Sequence, residues 1–134
     1  MTATARFWRE FPARYNLIGV HCENCNQTYF PPRGICPNCT RKSFGKMRSR
    51  KISGEGEVFS YTVVHDPHPE YELQVPYVMA LVKMTEGVNL LAQVVDCDPK
   101  EVEVGKKVKV CFRKLRQEGE SGIIHYGFKF KLAE

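Results

Sequence analysis

The stretch "CENCNQTYFPPRGICPNC", Cys22 to Cys39, carries two Cys-x-x-Cys pairs with ten residues between them. One such pair sets two sulfurs on a single tight turn. Two turns brought together make a tetrahedral four-sulfur cage with Zn–S distances of about 2.3 Å. Pro37 favours the second turn, "CPNC". Disulfides or a redox pair are the competing readings. Disulfides belong to exported chains, and the opening "MTATARFWREFPARY" lacks the apolar core of a signal peptide. A redox pair needs only one Cys-x-x-Cys, normally beside a βαβ pattern that this sequence does not show. The expectation is a structural zinc held by Cys22, Cys25, Cys36 and Cys39, with iron in the same cage as the main alternative. Cysteine fills all four positions, so none is left for water or substrate, as a catalytic zinc requires. Ten intervening residues are few for a finger with a recognition helix. They suit a ribbon in which short strands carry the two turns, with "TYFPPRGI" supplying strand and turn residues.

The remaining reactive residues make no machinery. Cys97 in "VVDCDP" and Cys111 in "VKVCFRK" read as small sheet residues, with no base nearby in sequence to generate a thiolate. His65 and His68, with Asp66 and Glu70, sit in the proline-stiffened "HDPHPE" and read as solvent-facing loop residues rather than a second metal site. "GEGEVFS" has glycines without dinucleotide-binding spacing or a following helix. No nucleophile with its base and no oxyanion site emerges. The reading is a binding or assembly module, not an enzyme.

These residues need elements to hold them. With 134 residues the chain is one compact unit or two very small ones. Residues 4 to 18 read as helical, with Phe7, Trp8, Phe11, Tyr15 and Ile18 roughly on one face and Pro12 dividing the segment into two pieces. Phe7, Trp8 and Phe11 are candidates for a partner interface. Residues 41 to 51, "RKSFGKMRSRK", read as a basic linker with six positive charges, either a solvated connector or an anion-binding strip.

From Ile52 the signal turns to strands: "GEVFSYTVVH", "YVMALVKM", "VNLLAQVVD", "KKVKVCFRKL" and "GIIHYGFKF". In the fourth, Val108, Val110 and Phe112 are expected on one face and Lys107, Lys109 and Arg113 on the other. Five short strands without a convincing helix indicate a small barrel, the OB-fold first and an SH3-like barrel second. The expected organisation is mainly β: a helical segment over residues 1–21, a rubredoxin-like zinc ribbon with its basic linker over 22–51, and a five-stranded OB-fold barrel over 52–134.

Charge and composition narrow the partners. At 43% hydrophobic and 26% charged residues the chain reads as an ordinary soluble globular protein. No apolar run approaches the roughly 20 residues of a membrane span, and a cytoplasmic location is expected. The formal charge of +5 falls to +3 once four thiolates and one Zn²⁺ are included. That modest excess fits an anionic small ligand as well as it fits nucleic acid.

The order of parts carries a resemblance. An aromatic N-terminal segment leads into a cysteine ribbon holding "FPPR", then "SGEGEVFSYTVV", "VPYVMALVKMTEGVNLLAQVV" and "VGKKVKVCF". Nearly the whole chain resembles the OB-fold, acyl-CoA-associated proteins with a rubredoxin-like zinc ribbon, the DUF35 family. The resemblance implies non-catalytic partnership with thiolase-superfamily enzymes. In the bridging type, such a protein joins acetoacetyl-CoA thiolase to hydroxymethylglutaryl-CoA synthase at the head of the mevalonate route to isoprenoids. Other relatives pair with thiolases or hydratases in degradative routes. The family's zinc ligands fall on Cys22, Cys25, Cys36 and Cys39, and its "FPPR" arginine on Arg33. A shared coenzyme A ester would meet a positive surface there, with Arg33, Arg48 and Lys51 as candidates, because a guanidinium pairs well with phosphate. The competing class is a single-stranded nucleic-acid binder using the basic linker with Tyr61, Phe112, Tyr126 and Phe128.

Overall fold

The computed structural model describes residues 7–133. The helical segment forms in two pieces, a 3-10 turn at Trp8–Glu10 and α1 at Phe11–Asn16, with Pro12 in the first turn of α1. Proline lacks the N–H that a first helical turn leaves unused, so Pro12 starts α1 rather than breaking it. The helix ends earlier than expected. Leu17 adopts the left-handed conformation, φ 51°, and Ile18 already belongs to a strand. Residues 4–6 of the expected helix lie outside the described residues.

β1 (Ile18–Cys22), β2 (Thr28–Tyr29) and β3 (Met47–Lys51) form an antiparallel sheet in the order β2-β1-β3. The basic linker is therefore no loose connector. Its first part is a 3-10 turn, Thr40–Ser43, and its last part is β3, paired with β1 from Ile18↔Lys51 to Cys22↔Met47. Charge density hid the strand, because β3 exposes four of its five residues and shows no apolar alternation.

The five expected strands are present as β4 (Glu55–Val64), β5 (Tyr77–Met84), β6 (Asn89–Val95), β7 (Lys107–Gln117) and β8 (Ile124–Leu132). They close into a barrel in the order β4-β5-β6-β8-β7, with β6 and β8 parallel and every other pair antiparallel. This is a five-stranded Greek-key barrel of the OB type. Val58, Val82, Leu90, Val94, Val108 and Phe130 fill its interior, and Leu17 and Ile52 join them from either side of the ribbon. The alternation expected in β7 holds through Val108 and Val110 and then fails, since Phe112 is 49% exposed. Beyond Lys109 β7 leaves β4 and continues paired only with β8, so its inward face passes out of the closed barrel.

Candidate metal centre and neighbouring surfaces

Cys22 ends β1, and Cys25 lies in the turn towards β2. Cys36 and Cys39 lie in a second turn that runs into the Thr40–Ser43 helix. The two turns are built alike. Asn26 donates its N–H to the Cys22 carbonyl at 2.8 Å, and Thr40 donates to that of Cys36 at 2.9 Å. Each of these residues follows the second cysteine of its pair, and each has positive φ, 59° and 49°. Asparagine tolerates this region readily, whereas β-branched Thr40 is held there at a cost. Only the first turn joins two strands; the second is a loop leading into helix, contrary to the expectation that strands carry both.

The four sulfurs lie within 4.8 Å of one another. The Cys25–Cys36 and Cys22–Cys39 separations are 3.5 and 4.0 Å. A tetrahedron with metal–sulfur bonds of about 2.3 Å has edges of about 3.8 Å, so the quartet fits one zinc ion. A disulfide would need sulfurs at about 2.05 Å. Burial pushes the Cys36 thiol up, but the Tyr29 hydroxyl and the N–H groups of Cys39 and Asn38 outweigh it and hold the thiol down to about 6. The Gln27 N–H lowers Cys25, yet burial and the three neighbouring sulfurs raise that thiol to about 12. Four sulfurs this close cannot all ionise by themselves, and a divalent cation supplies the missing charge.

Neighbouring side chains aim donors at the cage. Asn24 donates its Nδ2 to Cys39 Sγ at 3.0 Å, and the Tyr29 hydroxyl lies 3.3 Å from Cys36 Sγ. Ser43 is fully buried; it accepts the Cys36 N–H at 3.0 Å and donates to the Thr40 carbonyl at 2.6 Å, tying the second turn to the helix after it. Sequence reasoning missed these three. No spacing marks Tyr29, which reaches Cys36 only because Val20↔Tyr29 pairing fixes its direction.

The cationic candidates do not form one cluster. Arg48 and Lys51 are three apart on β3, so they project from opposite faces. Arg48 bonds Glu23 at 3.3 Å, whereas Lys51 lines a cleft with Tyr15 and Phe112. Arg33 stacks over the Tyr29 ring at 5.7 Å. The "FPPR" motif also has a structural use, for Phe30 packs edge-on to Phe128 of the barrel at 5.7 Å.

The aromatic candidates divide as well. Phe7 is 8% exposed, buried against the protein's own His125, so it does not present a free surface. Helical geometry sets Phe7 and Phe11 on one side and leaves Trp8, 60% exposed, on another. Phe112 and Tyr126 stack on each other at 5.4 Å, and Tyr15 meets Phe112 edge-on at 5.0 Å. His68 caps the 3-10 helix Pro69–Gln74 by accepting the Glu70 N–H. Burial raises the Cys97 and Cys111 thiols, and acidic neighbours raise Cys97 further, so neither is an activated nucleophile.

Two family models cover most of the chain. The ChsH2 rubredoxin-like zinc ribbon matches residues 9–44, and the ChsH2 C-terminal OB-fold matches residues 49–113. A DUF35 domain-containing scaffold protein of Methanothermobacter thermautotrophicus is 50% identical over 98% of this chain and 97% of its own. The chain belongs to the DUF35 family. A second DUF35 scaffold protein, from Methanocaldococcus jannaschii, is 45% identical over 96% of this chain and 90% of its own. Among solved structures, a chain of the Ltp2-ChsH2(DUF35) aldolase superposes with a TM-score of 0.72 at 29% identity, covering 100% of this chain and 98% of that one. No helix among the described residues is long and apolar enough to cross a membrane.

Proposed function

We propose that this protein is a non-catalytic scaffold that holds acyl-CoA-handling enzymes of the thiolase superfamily together. The observation that carries the reading is the near full-length match to a DUF35 scaffold protein, half of whose residues are shared. Two features of the site support it. The cysteine cage offers four ligands of one kind, which suits a metal that shapes a surface rather than one that activates water. The other cysteines have raised rather than lowered thiol values.

The finer proposal is that the enzymes joined are acetoacetyl-CoA thiolase and hydroxymethylglutaryl-CoA synthase of the mevalonate route. In that arrangement the synthase draws the unfavourable thiolase reaction forward. Arg33 and Arg48 beside the ribbon contribute to a shared coenzyme A surface, because the nucleotide end of coenzyme A is strongly anionic. Purification from the native source at moderate salt tests the scaffold reading. Co-elution of a thiolase supports it. A high 260/280 nm absorbance ratio that salt removes, with no enzyme present, replaces it with nucleic-acid binding. Arg33→Glu tests the finer part: coenzyme A binding by the assembled complex weakens in a salt-dependent way while the zinc content stays the same.

A further inference from the structure

On the outer side of the barrel, β6 and β8 run together for only two residue pairs, Val94↔Phe130 and Val95↔Lys131. On the other side of these pairs, towards Leu91 on β6 and Gly127 on β8, the strands part. A cleft of about 340 Å³ opens between them, within the size range of small-ligand sites. Tyr77 and Met79 of β5 and Leu91 of β6 give it an apolar wall, and Tyr71 of the 3-10 helix Pro69–Gln74 closes one side. Leu91 is 65% exposed, so the wall is uncovered.

Lys129 lines this cleft and is 7% exposed. Its side-chain amine makes no hydrogen bond or ion pair among the described residues. Its titratable neighbours are the Cys111 thiol, which burial keeps protonated, and another cation, Arg113, which Asp96 already holds at 2.5 Å. The cleft's other cation, Arg14, is paired with Glu10 at 2.6 Å. One positive charge is thus left over, on an amine that burial disfavours. Buried lysines are ordinarily paired, because an uncompensated charge in apolar surroundings is costly.

We propose that this cleft is a binding site for a small monocarboxylate with an apolar body, its carboxylate on the Lys129 amine and its tail along Tyr77, Met79 and Leu91. A phosphate dianion needs several convergent donors, whereas one amine at the edge of an apolar wall balances a single carboxylate. The site does not depend on the scaffold reading, because its residues lie on the barrel's outer face and the test requires no partner.

The test is an NMR titration of the zinc-loaded full chain with hexanoate and with its neutral isostere hexanamide, at constant ionic strength. Hexanoate is expected to shift the Met79, Leu91 and Lys129 amides saturably in the millimolar range, and to bind at least about tenfold more tightly than hexanamide. Lys129→Met removes that preference, and Lys129→Arg retains it. Removing a buried unpaired charge does not endanger folding, so the methionine variant remains a fair comparison. Equal binding of the two probes, a preference that survives Lys129→Met, or no saturable shift up to about 20 mM overturns the proposal.

Discussion

The rings of Phe7 and His125 meet edge-to-face with their centroids 4.5 Å apart, while the adjacent Trp8 is 60% exposed. Neighbouring aromatics in one short segment therefore have different jobs. Phe7→Ala is expected to cost about 3 kcal/mol, as burial of a large aromatic implies. Trp8→Ala should stay within about 0.5 kcal/mol. If Trp8 anchors the proposed partner, its loss weakens capture of the thiolase at unchanged melting temperature. Denaturant titration and co-purification of both variants separate the two effects. A large stability loss at Trp8 would return that side chain to the protein's own core.

Metal retention should be graded. Cys36→Ser removes a ligand, so the metal-to-protein ratio falls from near one towards zero and the ribbon sheet, whose strands bury little besides Val20 and the metal ligand Cys22, loses order. Tyr29→Phe keeps all four sulfurs and removes only the hydroxyl beside Cys36. Loss of such a partner lowers metal affinity roughly 10–100-fold. Competition against a chromogenic chelator measures both. Unchanged affinity in Tyr29→Phe would mean that its hydroxyl does not bond the thiolate.

Barrel closure depends on Gly56, which pairs with Met84 on β5 and with Val108 on β7. A methyl group there would lie 2.6 Å from the Lys83 carbonyl oxygen and 2.8 Å from a Val82 methyl. Gly56→Ala should destabilise the protein by about 1–3 kcal/mol, the range for overpacking. Gly34→Ala is the control, since nothing lies within 4 Å of its added methyl group. Urea midpoints that move equally in the two variants would discount the clash.

Lys129 gives stability a pH dependence of known sign. Burial lowers its folded-state value below the ordinary 10.5. Below the lowered value, both folded and unfolded chains carry the proton, and the full penalty of burying a charge applies. Between the two values the unfolded chain binds more protons, so stability rises with pH. Lys129→Met should therefore exceed the parent protein in stability at pH 7 and lose that advantage as the pH climbs towards 10.5. Parallel urea titrations across this interval check the trend. A methionine variant less stable at neutral pH would indicate a structural partner for the amine.

Much of the fold was legible in the residues. The apolar run "YVMALVKM" reads as a strand and forms β5, and the Cys-x-x-Cys spacing locates all four clustered cysteines. What escaped depends on pairing partners. β3 looks like a charged connector until β1 lies beside it. Phe112 matches a core position in sequence, yet β7 has by then left the closed barrel. Arg48 and Lys51 look like one patch along the chain and separate once a strand sets their directions. Lys129 carries no signal in the sequence, because a lysine in "FKFKL" is ordinary until the barrel buries it without a carboxylate beside it.

The chain passes into the ribbon after Leu17 and out of it at Ile52, and the Ile52 N–H donates to the Leu17 carbonyl at 2.9 Å. Both residues are buried in the barrel core. The metal-bearing segment is thus clipped into the barrel like a cassette, by this one hydrogen bond where its two ends meet and by Phe30 packed on the barrel core. Its length and outer contour are free to change without disturbing the barrel, provided the two ends return to the same spot and an apolar side chain still covers Phe128 as Phe30 does. Grafting another ribbon between Leu17 and Ile52 would then alter which surface is displayed while leaving the barrel beneath it intact.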